Sequence, residues 1–413
     1  MSWTATLVLV AALTAPAGPI GCPGQQAPPA PPAVAETAAP ALDPLPWPAE
    51  PVGGPALGAC GDIGPPSALP VDAMVIGAAS FVLADLDTGA VLLARAPHAR
   101  HRPASALKVL TALVALRELD LATVVDGTVE DTRIEGSRAG IGPSGRYTVA
   151  QLLDGLLLNS GNDTAHALAR QLGGDAAMVA AMTAAAREVG ALDTRPATPA
   201  GLDGPGMASS AYDLAVLFRV AMRDTRFAAI IGTRSVRFPG YAGTADFELS
   251  NSNRLLSNYP GALGGKSGFT DASRHTLVGA AERDGRRLVV AMVRGEQTPL
   301  PMWQQAGGLL DWGFALPAGT APIGTLVDEA APPVPPAPAA TDPPVAGPPG
   351  SGPAPSDPTP SDPTPSDTAA SDTAAAGPAR TGGGTPAPLL ALIGVLVAIT
   401  GAGVAVVRSR ARR

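Results

Sequence analysis

The chain has 413 residues, and its 28 basic and 35 acidic residues give a formal net charge of −7. This acidic balance leaves no broad basic patch and argues against nucleic acid as a partner. Most of the 46 prolines lie in the flanks, leaving a middle block about the size of one sizeable α/β domain. Four histidines and two cysteines, without Cys-x-x-Cys or His-x-x-x-His spacing, give no metal signal.

The N-terminus has the pattern of a secretory signal peptide, which we predict over residues 1–17. Its short apolar core runs into residues 15–17, Ala-Pro-Ala, which fit the small-x-small cleavage pattern. Residues 18–70 are rich in proline and alanine and lack periodicity, so we predict an extended leader there. Export would place the mature chain outside the cytoplasm, in an oxidising compartment.

Both cysteines, Cys22 and Cys60, fall in this leader. In an oxidising compartment they are candidates for a disulfide. The alternative is that Cys22 is a lipidated N-terminus. Pro19 stands where a leucine is usual, three residues before the cysteine, and this favours the disulfide.

The domain that follows is predicted over residues 71–317. It begins with two strands, 80–85 and 90–95, on either side of an Asp-Thr-Gly turn. The next helix is apolar on nearly every side, as expected of a helix at a domain centre. Pro103 stands just ahead of its first turn, where the missing N–H is harmless.

Ser105 and Lys108 form the first chemical motif, at the predicted positive end of this helix and on one face of it. A hydroxyl beside an amine in a dry setting can become an activated nucleophile. Ser-x-x-Lys alone is a weak signal, but the 28 basic residues comprise 26 arginines and only two lysines, Lys108 and Lys266. Because arginine cannot be deprotonated and a desolvated lysine can, both lysines point to chemistry.

The second motif, Ser160-Gly161-Asn162, lies between two predicted helices that follow an irregular segment over residues 121–147. Thr148 and Gln151 form a capping box at the start of the first helix. A polar corner between core helices can present side chains to a cleft, although an ordinary helix–helix turn has the same pattern. Two further helices are predicted, over residues 176–189 and 211–222.

The last part of the domain is rich in strands. Lys266-Ser267-Gly268 lies in a predicted strand, 264–270, whose glycines let another backbone approach closely. An Asp-Gly hairpin joins strands 276–281 and 288–293, and an apolar helix around Trp312 follows. Strands at both ends with helices between them imply an α/β (α+β) fold: one antiparallel sheet, its first and last strands neighbours, with a helical cluster.

The C-terminal flank has three parts. Residues 318–385 are predicted to be a proline-rich disordered tether. A transmembrane helix is predicted over 386–407, because residues 389–407 carry no charge and are long enough to span a bilayer. The arginine-rich tail, 408–413, is expected to be cytoplasmic. We therefore expect a single-pass cell-membrane protein whose catalytic domain is extracytoplasmic.

The three motifs, in this order, are those of the penicillin-recognising serine enzymes. Together with Arg-Pro-Ala before Ser105, Phe-Thr after Gly268 and the Leu-Asp-Trp-Gly-Phe segment at 310–314, the region 75–316 resembles the low-molecular-mass penicillin-binding proteins that are serine-type D-alanyl-D-alanine carboxypeptidases. The resemblance implies a β-lactamase/transpeptidase-like fold, a peptidoglycan stem peptide ending in D-Ala-D-Ala as substrate, and β-lactams as inhibitors. It implies neither cofactor nor metal.

The reaction implied by this resemblance is attack of Ser105 on the penultimate D-Ala carbonyl, giving an acyl-enzyme. Lys108, neutral through burial and the like charge of Lys266, takes the Ser105 proton. Ser160 relays that proton towards the leaving amine. Asn162 holds the Lys108 amine and the substrate amide.

Substrate binding is implied for the third motif. Lys266 supplies positive charge near the terminal carboxylate, with Ser267 and Gly268 beside it. The backbone N–H groups of Ser105 and Phe269 form the oxyanion hole. The spacing of the motifs does not identify an arginine that would bind the terminal carboxylate of the substrate. Arg294, at the end of a predicted strand, is the candidate for this role.

Two alternatives stay open. A class A-like β-lactamase would need a deacylating glutamate in a Glu-x-x-Leu-Asn context, which neither Glu188 nor Glu248 has. A non-catalytic wall-binding protein could share the fold, but retention of Ser105 and both lysines speaks against it.

Overall fold

An antiparallel sheet of seven strands lies at the centre of the described domain. The computed structural model describes residues 27–29, 42–65 and 75–329. The strands of these residues are β1 (Asp62–Ile63), β2 (Ser80–Asp85), β3 (Ala90–Arg95), β4 (Val124–Asp126), β5 (Arg146–Thr148), β6 (Ser235–Phe238), β7 (Phe247–Ser250), β8 (Ala262–Thr270), β9 (Arg274–Arg283), β10 (Arg286–Gly295) and β11 (Gly324–Thr325). The large sheet has the order β1-β3-β2-β10-β9-β8, and β11 also pairs with β3.

Strand β2 pairs with β10, which confirms the prediction that the first and last strands of the domain are neighbours in the sheet. The remaining strands form two small ribbons, β4–β5 and β6–β7. The helices are α1 (Lys108–Glu118), α2 (Val129–Arg133), α3 (Val149–Leu158), α4 (Asn162–Gln171), α5 (Asp175–Glu188), α6 (Ala211–Ala221), α7 (Thr225–Ile231), α8 (Arg254–Asn258) and α9 (Met302–Phe314). The helices predicted over 176–189 and 211–222 correspond to α5 and α6.

Both faces of the sheet are covered, and each face has its own core. Alternate residues of β10 show this division, because side chains of a strand point to opposite faces in turn. Val289 and Val293 belong to the core shared with α1, α3 and α6. Val290 and Met292 belong to the core beneath α9. Strands buried on both sides therefore appear in the sequence as nearly continuous apolar runs.

Helix α1 is the buried central helix that its composition predicts, with every residue from Lys108 to Leu116 buried. It does not begin where the sequence suggests. A 3₁₀ turn, Ala104–Leu107, precedes it, and Lys108 is its first α-helical residue. Ser105 thus lies in a tighter turn than expected.

The segment expected to be irregular, 121–147, contains three short elements, β4, α2 and β5. Helix α2 is only five residues long and is fixed by a capping box between Thr128 and Asp131. Elements of this length give too little periodicity to be recognised from the sequence.

Residues on both sides of the predicted 71–317 domain also pack on it. Leu57, in the predicted leader, and Leu326, in the predicted tether, are both buried in the core. The Thr325 N–H donates to the Gly53 carbonyl oxygen at 2.9 Å. Single apolar residues in proline-rich surroundings show no helical or strand periodicity, so the sequence does not reveal that these two leucines are buried.

Several predicted features lie outside the described residues: the signal peptide, the 386–407 segment, the basic tail and Cys22. Cys60 is disulfide-bonded, and its pairing with Cys22 stays a prediction. Within the described ranges, every helix is too short or too polar to cross a membrane.

Candidate active site

The three sequence motifs meet at one groove of about 360 Å³. It lies between the 3₁₀ turn, the α3–α4 corner and strand β8. Ser105, Ser160 and the segment from Lys266 to Phe269 line it. Lys108 lies behind this lining and hydrogen-bonds to Ser105, and Asn162 in turn hydrogen-bonds to Lys108. The structure thus brings together every motif residue that the sequence singled out.

The 3₁₀ turn explains why Ser105 and Lys108 are in contact. At three residues per turn, side chains at positions i and i+3 lie directly above each other. Lys108 Nζ lies 2.9 Å from Ser105 Oγ. Ala104, just before the serine, has a φ of 46°, which is strained for a residue other than glycine. Gly201 packs so closely here that a Cβ would stand 2.1 Å from the Ala104 carbonyl oxygen.

The Lys108 amine is fully buried and has three polar contacts. Besides Ser105 Oγ, its Nζ lies 2.7 Å from Asn162 Oδ1 and 2.7 Å from the Ala200 carbonyl oxygen. Both carbonyl oxygens can only accept, so they take the two N–H groups of a neutral amine, whose lone pair then faces the serine hydroxyl.

Burial lowers the pKa of Lys108 well below its usual value, and the nearby charge of Lys266 lowers it further. The residue is therefore suited to be the neutral base that the sequence predicts.

The second motif forms the opposite side of the groove. Ser160 has a φ of 61°, and Asn162 is the first residue of α4. The Asn162 side chain donates from Nδ2 to the Glu135 carbonyl oxygen at 2.6 Å while its Oδ1 faces Lys108. Among the described residues, the Ser160 hydroxyl makes no hydrogen bond to Ser105 or Lys108, and its oxygen is available to a substrate.

The third motif lies on β8, an edge strand of the described sheet. Lys266 is buried, and its Nζ donates to the Ser267 carbonyl oxygen at 2.7 Å. Burial lowers the pKa of Lys266 to about 7. Gly268 passes so near the nucleophile that a Cβ would lie 2.5 Å from the Ser105 backbone nitrogen. The backbones of Ser105 and β8 therefore border the same small space.

Comparison with known proteins agrees with this arrangement. Residues 68–297 match the family model described as D-alanyl-D-alanine carboxypeptidase. This match covers more than half of the chain. The chain belongs to the D-alanyl-D-alanine carboxypeptidase family.

Individual members of this carboxypeptidase family show how far the similarity extends. DacB2 of Mycobacterium tuberculosis is 51% identical over 243 residues, which are 58% of this chain and 83% of that protein. DacF of Bacillus subtilis is 31% identical over 247 residues, covering 58% of this chain and 62% of that protein. The predicted family, and with it a serine DD-carboxypeptidase function, is confirmed.

Solved structures support the fold. A D-alanyl-D-alanine carboxypeptidase from Mycobacterium tuberculosis superposes with a TM-score of 0.60 at 47% identity, covering 64% of this chain and 99% of that one. The DD-transpeptidase of Streptomyces K15 superposes with a TM-score of 0.55 at 27% identity, covering 59% of this chain and 98% of that one. The predicted α/β, transpeptidase-like fold is confirmed.

The carboxypeptidase site also uses residues that the sequence did not single out. The carbonyl of Ala200 is one, and buried Asp163 is another. Asp163 accepts the backbone N–H groups of Ala139, Gly140 and Ile141 at 2.9, 2.8 and 3.1 Å. This holds the loop whose Glu135 carbonyl orients Asn162. The glycine-rich sequence at 140–145 indicates a loop, but it does not show that an aspartate accepts the backbone N–H groups of that loop.

Arg294, the candidate for the carboxylate, is not part of the groove lining. Its guanidinium instead donates to the Ala272 carbonyl oxygen at 3.3 Å. The assignment to Arg294 rested only on its place at a strand end, which does not determine where a long side chain points.

Among the described residues, one buried cluster has side chains of the kind that bind metals. His98, Asp193 and Asp213 are buried with their ligand atoms within 4.8 Å of one another. However, His98 and Arg100 both hydrogen-bond to Asp193, at 2.8 and 3.0 Å. Thr194 donates to Asp213 at 2.7 Å. Hydrogen bonds from neighbouring residues therefore account for the buried carboxylates of this cluster without a metal, and we interpret the cluster as structural.

Proposed function

We propose that this chain removes the terminal D-alanine from peptidoglycan stem peptides ending in D-Ala-D-Ala, through an acyl-enzyme on Ser105. The observation that carries the proposal is the environment of the Lys108 amine. Two carbonyl oxygens take its hydrogens, and its remaining side faces the Ser105 hydroxyl at 2.9 Å. An amine held in this way is prepared to accept a proton from the serine.

The reaction then runs in two steps. Ser105 Oγ attacks the penultimate carbonyl as its proton passes to Lys108 Nζ, and the N–H groups of Ser105 and Phe269 hold the oxyanion. The tetrahedral intermediate collapses, and the leaving D-alanine amine takes the proton through the Ser160 hydroxyl. A water molecule, deprotonated by Lys108, then hydrolyses the ester and regenerates the Ser105 hydroxyl.

The test is release of D-alanine from a peptide ending in D-Ala-D-Ala. The wild-type protein should release it, whereas Ser105→Ala should lose nearly all release. Ser235→Ala, which removes an exposed hydroxyl on β6, is the matched control and should keep wild-type release. Equal release by the Ser105→Ala variant would refute the proposal.

A β-lactamase function is the runner-up. Among the groove's described lining residues there is no carboxylate. Glu188 is instead paired with Arg117 and has a 67% exposed side chain, and Glu248 is exposed on β7. Labelled penicillin separates the candidates: a stable adduct indicates the carboxypeptidase, rapid turnover a β-lactamase, and no adduct a non-catalytic wall-binding protein.

We further propose that the protein is exported and anchored in the cell membrane with its catalytic domain extracytoplasmic. The supporting observations are the predicted signal over residues 1–17 and the uncharged segment 389–407, followed at once by arginines. Truncation after residue 385 should move the protein from the membrane fraction to the medium. Continued membrane retention of the truncated protein would contradict the anchor.

A further inference from the structure

The proposed substrate ends in a carboxylate, and the groove itself offers this group little fixed positive charge. Lys266 is buried and already donates to the Ser267 carbonyl oxygen. Arg294 donates elsewhere and does not line the groove. A carboxylate held without a cationic partner is costly to desolvate, so a second source of charge is expected nearby.

The direction of the β8 side chains shows on which side to look. Residues opposite each other in a strand pair share a face, and successive residues alternate. Lys266 lies opposite Val278, which belongs to the core on the α1 side, whereas Ser267 lies opposite Leu277, which belongs to the core beneath α9. The Ser267 hydroxyl and the Lys266 amine therefore lie on opposite sides of β8.

A second cavity of about 380 Å³ opens on the Ser267 side. It shares Ser267, Gln297 and Met302 with the catalytic groove. The carboxyl carbon of a terminal residue is only three bonds from the scissile carbon, so a substrate acylating Ser105 places its carboxylate close to Ser267, at this opening.

Arg254 is the only basic residue among the described residues that line this cavity. It is the first residue of α8, whose start is fixed by the Asn253 side chain accepting the N–H groups of Leu255 and Leu256. Its guanidinium forms no ion pair with a described carboxylate. A solvent-exposed arginine, without an acidic partner, at the edge of a substrate cavity is suited to binding an incoming carboxylate.

We propose that Arg254 binds the terminal carboxylate of the peptide substrate, from the side of β8 that carries Ser267. This inference rests on the proposed carboxypeptidase function and adds a specificity-determining residue to it. Arg254 would select peptides that end in a free carboxylate over those whose C-terminus is neutral.

The test compares a peptide ending in D-Ala-D-Ala with the same peptide carrying a C-terminal amide. We expect Arg254→Gln to lower kcat/KM on the free acid by about 10- to 100-fold, as for a lost hydrogen bond to a charged group. On the amide, Arg254→Gln should act like wild type. Arg254→Lys, which keeps the charge, should recover part of the loss, and the melting temperature should not change.

Arg294→Gln tests the competing anchor. An equal loss on both substrates, no loss on either, or an acid-selective loss in Arg294→Gln instead would overturn the assignment. Failure of the carboxypeptidase function itself has a different signature, because the wild-type protein would then release neither D-alanine from the free acid nor D-alanine amide from the amide.

Discussion

The Lys108 amine nitrogen lies 2.9 Å from the Ser105 hydroxyl oxygen, with Asn162 Oδ1 and the Ala200 carbonyl oxygen each 2.7 Å from that nitrogen. Burial favours the neutral amine, in which the two carbonyl oxygens accept the N–H groups and the lone pair faces the serine hydroxyl. Nothing in this arrangement requires the lysine to be charged. The activity of the site therefore depends on keeping this amine neutral.

Asn162→Asp should slow acylation by placing a carboxylate beside Lys108. An opposite charge at this distance favours the protonated amine and raises the pKa of Lys108, against the effect of burial. The acylation rate at neutral pH should fall about 10-fold or more, and raising the pH should restore it. Asn162→Ala serves as the control, since it adds no charge and should show no such recovery. The measurement is the rate of penicillin acylation against pH.

Lys266 should make folding stability depend on pH. Its folded-state pKa is about 7, whereas an unfolded lysine titrates near 10.4. Between these values the unfolded chain binds a proton that the folded protein does not, so stability increases as pH rises through this window, by up to about 1.4 kcal/mol per pH unit. Below about pH 7 both states are protonated and the burial penalty is fully present.

Lys266→Met removes this titration. Its free energy of unfolding, measured by chemical denaturation, should compare best with that of the wild type near pH 7. This relative stability should then decline towards pH 10, because the wild-type protein becomes more stable over this range. A difference that does not vary with pH would show that the buried amine keeps its ordinary pKa.

Asp163→Ala should destabilise the protein and also impair acylation. The variant removes the acceptor of four backbone N–H groups, those of Ala139, Gly140, Ile141 and Thr164, which we expect to lower the free energy of unfolding by about 3 kcal/mol. It should also slow acylation under folded conditions, because the loop that orients Asn162 loosens. Asp154→Asn is the control: burial raises the pKa of this carboxyl to about 6, and no described residue pairs with it. Unchanged stability of Asp163→Ala would contradict the loop's dependence on Asp163.

Gly268→Ala should block the oxyanion site without unfolding the protein. The new methyl group would stand 2.5 Å from the Ser105 nitrogen, so we expect turnover to fall by about 10²–10³-fold. Gly308→Ala, on α9, is the matched control because nothing lies within 4 Å of its Cβ position. It should keep full activity and gain about 0.5–1 kcal/mol of stability. Wild-type turnover in Gly268→Ala would place the reaction elsewhere.

Much of the fold follows from local patterns in the sequence. The buried helix α1 is apolar on all sides, and the Asp-Gly turn identifies the β9–β10 hairpin. The capping box at Thr148 is present with both of its hydrogen bonds, 3.1 and 2.9 Å. These features depend on neighbours in the chain, so their spacing reveals them.

The remaining site residues depend on contacts between distant segments. Ala200 contributes a backbone carbonyl, which no side-chain pattern can reveal. Asp163 is bonded to residues more than twenty positions away. Arg254 lines the second cavity only because α8 packs beside β8 and α9. Conversely, Arg294 lies at the predicted strand end but points to Ala272.

The central claim is that neutral Lys108 activates Ser105, and penicillin acylation measured by intact-protein mass tests it most directly. We expect one adduct, mapped to the peptide containing Ser105, in the wild-type protein. Lys108→Met and Lys108→Arg should be acylated about 10²–10⁴-fold more slowly while remaining folded, because neither can accept the proton. Acylation of folded Lys108→Arg at the wild-type rate, or an adduct that does not map to Ser105, would contradict the account.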